Sequence, residues 1–510
     1  FTYKESSKLN LSYNVFTLSS DISTCLFSCD TKYDNYPQWT FSDNCMYPLK
    51  DDQIKDTNAQ NLPVDSFDSC TFIDCPPIPD GYEDSQVYFY SCGAVTDDSG
   101  GFEITNSVAA IFYSTFSNII DYDFGAIYIS TKIDINEVKF PTKIYNCDFS
   151  SCQSDKGGAI YIYSTETSRL YDIHRCTFKD MFLLPENEGN GGAIYIEAKK
   201  CNFHISECTF EKNKAGSGGA IYYLSDWKAT SRSLLQDDEN TDYSLSVVDC
   251  IFNNNEAKEK GGAICILIYD GETPKPIKIE NCTFINNKAN ESDTGYEDGG
   301  AIYYTIRATS SSLLLSNKKT LAIAEDFSFC VCNCTFKENY VSYSGGAIYI
   351  FILNMKISKP IEIYQCIFDK NHADNSNEEP GDPKDGGTGS DIYYYFDCQN
   401  EPANDYFFRI SECNFSNSKS SQKGGSLYLT VPENKRPFKP IEVNKCSFID
   451  CTSLKNDAIY FESAFQAAFL HIDECEFKGL SSVYINAVTC QIENSMFIDI
   501  ANPICYECKS

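Results

Sequence analysis

Twenty-six cysteines are the most reactive feature of this 510-residue sequence. That number in one chain points either to metal sites or to disulfides, and disulfides place the chain in an oxidising compartment. Zinc calls for paired C-x-x-C motifs and histidines at ligand spacing. Only Cys505-Tyr-Glu-Cys508 has that form, and the chain holds 4 His, which are scattered at His174, His204, His372 and His471. Disulfides are the better account. The candidates are Cys70, Cys75, Cys147, Cys152, Cys176, Cys208, Cys250, Cys282, Cys334, Cys366, Cys413, Cys446, Cys451 and Cys475.

Acid chemistry is the other possibility. A glycosidase needs two carboxylates at a set separation. Acids cluster at Asp237-Asp238-Glu239, from Glu291 to Asp298 and from Glu378 to Asp385. All three runs are strongly polar and read as solvated loops, with structural calcium as a secondary role and no other cofactor expected. No Asp-x-Asp-x-Asp-Gly loop, nucleophile elbow, phosphate loop or zinc helix is present. Glycan acceptors of the form N-x-S/T occur at Asn10, Asn281, Asn290, Asn333 and Asn414. With the cysteines, they favour the secretory route and an extracellular or cell-surface destination.

Composition supports a packed chain. Hydrophobic residues make up 42 % and aromatic residues 14 %, which excludes wholesale disorder. Tyr and Phe, at 35 each, suit strands better than helices. A net charge of −31 repels nucleic acid and anionic lipid. No apolar run approaches the roughly 20 residues that span a bilayer, so this segment does not insert directly. Phe1 stands where an initiator Met would be, which places the start after a cleavage or within a longer precursor.

What positions these residues is a repeat. Cys-x-Phe, a few polar residues and then Gly-Gly-Ala-Ile-Tyr recur from Cys147 to Cys446, with eroded copies at Phe116 and at Cys475-Glu476-Phe477. Glycine pairs follow, among them Gly157-Gly158, Gly261-Gly262, Gly299-Gly300 and Gly386-Gly387. Each repeat carries two strand signals of period two, one before the cysteine and one after the glycines. Inserts of variable length, such as Ser231–Tyr243, Asn290–Asp298 and Asp374–Lys384, belong in loops. Short strands at constant phase, one coil per repeat, describe an all-β fold: a right-handed parallel β-helix of about ten coils. Residues 1–100 read as an N-terminal cap with an irregular first coil, 101–480 as the coils and 481–510 as a C-terminal cap, both caps tied by disulfides.

Stacked coils turn every repeated position into a column about 4.8 Å per step. The Phe residues fill the interior. Three residues on, Asn213, Asn255, Asn287, Asn339 and Asn371 form a column that can bond along its length, a slot taken by cysteine at Cys75, Cys152 and Cys451. Stacked cysteines lie within disulfide reach, so Cys147 with Cys176 and Cys208 with Cys250 are candidate bridges. A column of free thiols acting as small hydrophobes, and bridges such as Cys147–Cys152, are the alternatives. If Ile points inward, Tyr128, Tyr161, Tyr195, Tyr222, Tyr303 and Tyr349 form an outward stripe. That stripe either binds sugar or protein or lies beneath the inserts.

Asn281-Cys-Thr-Phe-Ile-Asn-Asn287 with Gly299-Gly-Ala-Ile-Tyr303 resembles the F-x-x-N and G-G-A-[ILV] repeats of chlamydial polymorphic outer-membrane proteins. Similar repeats occur in surface proteins of parasitic protists, including trichomonads, and both belong to the pectin-lyase-like class. The resemblance spans roughly residues 105–480. It implies a non-enzymatic surface protein of adhesion or coat formation, with protein or glycan surfaces, or copies of itself, as partners. A filament subunit is the second reading. A polysaccharide lyase or glycosidase is the third, because the pectin-lyase-like class also includes such enzymes. The sequence has no C-terminal run of amphipathic strands of the kind that forms an outer-membrane barrel in the chlamydial proteins.

Overall fold

The structure is a computed structural model. It describes most of residues 110–506, less the inserts 132–141, 165–169, 183–188, 227–242, 270–275, 291–296, 308–326, 376–385, 399–407, 432–439 and 464–468 and some shorter breaks. Strands are also described at Leu9–Ser12, Val15–Phe16, Trp39–Ser42, Cys45–Met46, Ser66–Phe67 and Phe102–Thr105.

Each coil turns through three strands. The first, exemplified by Ile277–Glu280, precedes the cysteine. The second, Thr283–Ile285 in that coil, holds the phenylalanine. The third, Ile302–Arg307, begins with Ile-Tyr. Coil on coil, these build sheets of 12, 12 and 13 parallel strands. We call them the leading face, the phenylalanine face and the tyrosine face. The eroded copies at both ends are thus full coils, and the stack is about twelve deep rather than ten. A fourth sheet of 6 short strands, from Lys214–Ser217 to Lys419–Ser420, fills the corner between the phenylalanine and tyrosine faces in the middle coils.

Pairing is in register throughout. Phe252 lies on Phe284 and Phe284 on Phe336. Ile302 pairs with Ile264 and with Ile348. Slipping a strand by one residue would turn its buried set outward, so the alternating pattern fixes the register. Nearly all inward side chains join one continuous apolar core from Ile111 to Ala487.

Three tight bends close each coil, and each uses left-handed backbone. One falls before the cysteine, as at Asn281 (φ 54°) and Asn333 (φ 52°), and one falls two residues after the phenylalanine, as at Lys212 (φ 56°) and Asn254 (φ 54°). The third is the first glycine of the pair, as at Gly261 (φ 63°). The second glycine has a different task. A Cβ on Gly262 would lie 2.2 Å from the carbonyl oxygen of Gly300, so the coils can stack there only without a side chain. In one coil the bend uses neither Gly386 nor Gly387 of the expected pair. Gly389 (φ 60°) takes it, bonding in line with Gly346 and Lys423.

Inserts occupy two corners only. Residues 227–242 and 308–326 follow tyrosine-face strands, and 291–296 and 376–385 precede the glycine corner. Past residue 481 the same sheets continue. Ser482–Asn486, Thr489–Glu493, Met496–Ile498 and Ile504–Tyr506 pair in parallel with the layer beneath, so this stretch adds layers to the stack. Of the cysteines proposed to tie the first 100 residues, Cys70 and Cys75 lie outside the described residues.

Candidate functional site: the columns and the outer faces

The phenylalanine column runs from Phe116 to Phe497. Neighbouring rings such as Phe210, Phe252 and Phe284 lie 4.7 Å apart and within 3° of parallel. The strand spacing imposes that distance, and each pair adds about 0.5–1.5 kcal/mol beyond burial. Beside it runs the asparagine column. The Nδ2 of Asn255 donates to Oδ1 of Asn287 at 3.0 Å and to the carbonyl oxygen of Phe210 at 3.0 Å. Its amide N–H donates to the same Oδ1 at 3.1 Å. Asn213, Asn287 and Asn339 repeat the pattern, so each fully buried amide spends both donors and fills its acceptor.

The cysteines form a third column. Cys147, Cys152, Cys176, Cys208, Cys250, Cys282, Cys334, Cys366, Cys413, Cys446, Cys451 and Cys475 are buried free thiols. From Cys147 to Cys475 each coil offers sulfur at the same slot, so no thiol between them has a unique partner. Instead, the amide of Cys208 donates to Sγ of Cys250 at 3.4 Å, and that thiol donates to the carbonyl oxygen of Val248 at 3.2 Å. Burial pushes the thiols of Cys176 and Cys334 well up, and that of Cys152 to about 11. They act as small core hydrophobes, the alternative reading of the sequence.

The tyrosine stripe is corrected. Tyr128, Tyr161, Tyr195, Tyr222, Tyr303 and Tyr349 do point away from the core, but they are only 5–8 % exposed. They pack as a second cluster with Cys265, against Phe124, Tyr163, Leu224, Leu267, Phe351 and Tyr393. In-register stacking leaves no gap between rings, and the residue two places along the strand leans over them. Lysines close the flank: Lys156 Nζ sits 5.4 Å from the Tyr161 ring and 5.5 Å from that of Tyr195. Burial raises the phenols of Tyr195 and Tyr222. The column is a buttress of the tyrosine face rather than an open stripe.

The acceptor asparagines separate by position. Asn281, Asn333 and Asn414 are exposed, and Asn290 is half-buried. Asn10 lies outside the described residues. Asn281 and Asn333 also serve the left-handed bend before the cysteine, a conformation asparagine tolerates well. Of the acid runs, Asp237-Asp238-Glu239 and Glu378 to Asp385 lie outside the described residues, as does most of the run beginning at Glu291. Glu297 and Asp298 are described and buried, and burial raises Asp298 well above the usual carboxylate range. Among the described residues, no three His, Cys, Asp or Glu side chains gather as a metal site. His174 Nδ1 lies 2.9 Å from Ser206 Oγ, but the nearby Glu207 is engaged by Arg175 at 2.7 Å. That ion pair holds the Glu207 carboxyl below its ordinary value.

The sequence reading missed two things. One is Asp391, which takes the alanine slot of the repeat at the end of the asparagine column. The other is the outward pair Cys330 and Cys332. Both could have been found as departures from the repeat: Asp for Ala, and Cys where neighbouring coils carry Lys or Glu.

The chain is a parallel β-helix whose interior is a set of single-residue columns. The family model for a right-handed β-helix region matches residues 131–320, and that for the chlamydial polymorphic membrane protein repeat matches residues 333–350. The class is therefore a right-handed parallel β-helix repeat protein carrying that repeat. No curated protein and no solved structure matches the chain.

Proposed function

We propose that this chain is a non-enzymatic surface protein, a rigid shaft that carries loops outward for adhesion or coat formation. Its support is the confinement of inserts. Three sheets run unbroken while length varies only at two corners, so the coils hold variable segments at a regular spacing without disturbing the core. The chlamydial membrane-protein repeat at residues 333–350 points the same way. The acidic surface favours basic or glycan partners over nucleic acid.

The exposed Asn281, Asn333 and Asn414 are the proposed glycan carriers. The test is protease shaving and membrane-impermeant biotinylation of intact cells of the source organism, followed by mass analysis. Labelling of the coils and loss of glycan mass in N281Q, N333Q and N414Q are expected. A chain that is labelled only after the cells are broken overturns the surface reading. Binding of the purified protein to glycan and matrix-protein arrays then tests adhesion against a coat role.

A further inference from the structure

The corner that follows the phenylalanine face is hollowed, over part of its length, into an open groove of about 620 Å³. That volume suits a small-molecule or oligomeric ligand. Two columns form its rims. One consists of the left-handed bend residues two places after each phenylalanine: Asp180, Lys212, Asn254 and Asn286. The other lies two places further on: Phe182, Lys214, Glu256 and Lys288. Lys214 pairs in register with Glu256, and Glu256 with Lys288. The residue between the rims sends its side chain into the core, as Asn255 does, and that leaves the hollow. The groove crosses four layers, so it runs along the helix axis for about 14 Å.

Its lining combines one ring with many hydrogen-bonding groups. Phe182 is 40 % exposed at one end, an open face for the C–H side of a sugar ring. The Lys212 and Lys214 side chains are 52 % and 58 % exposed, and each is held by an ion pair, to Glu211 at 3.3 Å and to Glu256 at 2.7 Å. Lys288 is exposed and makes no ion pair among the described residues. Asn254 and Asn286 add amides that both donate and accept.

This chemistry narrows the occupant. An apolar peptide meets only one large apolar side chain, Phe182. A polyanion meets three ammonium groups set against the carboxylates of Asp180 and Glu256, on a chain of net charge −31. A chain of hydroxyls with apolar ring faces finds partners along the whole groove. Asp180 and Glu256 stand two layers apart, about 10 Å, wider than the carboxylate pair of a glycosidase, so the groove holds a sugar rather than cleaves it.

We propose that this groove binds a linear, uncharged glycan laid along the helix axis, with one ring stacked on Phe182 and hydroxyls bonded to Lys212, Asn254, Asn286 and Lys288. One sugar per layer matches the repeat, because an extended pyranose chain advances by about one strand spacing per residue. The site names a partner class for the adhesion reading and rests on that reading for access to an external glycan.

The test titrates the purified full chain, by calorimetry, with cello-, laminari-, xylo- and manno-oligosaccharides of increasing length, and with oligogalacturonate as the acidic comparison. At least one neutral series should bind, more tightly with length up to about four units and no more tightly beyond. That binding should hold between about 50 and 500 mM salt. F182A should weaken it about tenfold, as the loss of one stacking ring implies. K288Q should weaken it several-fold, and I367A, at an exposed position outside the groove, should leave it unchanged. Circular dichroism checks that each variant folds. Failure of every neutral series overturns the proposal. So does equal binding by F182A, or tighter and salt-sensitive binding of oligogalacturonate. The labelling of intact cells stands apart from this result: a labelled chain that binds none of these sugars sinks the groove alone, and a binding chain that is never labelled sinks the surface reading alone.

Discussion

Asp391 stands inside the core, where the coil before it carries Ala347 and the coil after it Ser426, and it ends the asparagine column. Asn371 has no asparagine on the next coil. Its Nδ2 donates instead to Asp391 Oδ1 at 2.9 Å, which also accepts from Ser418 Oγ at 2.8 Å. Desolvation raises the Asp391 carboxyl to about 7, outweighing the bonds from Asn371, Ser418 and Ser426, and the charge of Asp369 pushes in the same direction as burial. The folded chain therefore holds this proton more tightly than the unfolded chain. Its stabilising contribution is full below about pH 4 and is lost as pH rises through about 7. Denaturation midpoints of the wild type should fall across that window relative to D391N, which keeps the acceptor and removes the charge. Parallel curves would show that Asp391 titrates normally. Two layers away the logic is purely hydrogen bonding. Asn287→Ala strands the donors of Asn255 and empties the acceptor of the column, at a cost of about 1–3 kcal/mol per unsatisfied group.

At the scale of the coil, corners and columns divide the work. The corners set where the chain turns, and the columns set how far apart layers sit. Gly262→Ala puts a methyl group into the carbonyl of the next layer. It should lower the melting temperature, which a thermal unfolding scan reads. Phe284→Ala opens a hole between two stacked rings, and such deletions cost about 3–5 kcal/mol. Phe497→Ala should cost less, because Phe497 is only partly buried and stacks on one ring, Phe477. Urea titration of the two variants against wild type compares them directly.

For the whole molecule, stability is nearly one-dimensional, since each coil touches only its neighbours. Hydrogen exchange should be slowest in the central layers, where Ile279, Phe284 and Ile302 are fully buried. It should be fastest in the last layers, where Met496 is 54 % and Ile504 45 % exposed. Uniform exchange across the stack would indicate a single cooperative unit. The net charge of −31 should make stability rise with moderate salt.

The repeat was legible because a stacked fold writes its geometry into sequence. The inward Phe, Asn and Ile, the glycine corner and the placement of inserts all follow from period and phase. The two non-glycine bends were not legible, because residues as different as Lys212, Asn254 and Glu338 adopt the same left-handed turn, which the stacked layers impose. Nor could spacing separate a bridged cysteine column from a free one, since both place sulfur at the same step. Whether the tyrosines lay open or covered depended on side chains from the same strand and from neighbouring coils. By itself the sequence determined the coil. Only the stacked structure decided what each column bonds to and which outward residues water reaches, because those contacts join residues about thirty or more positions apart.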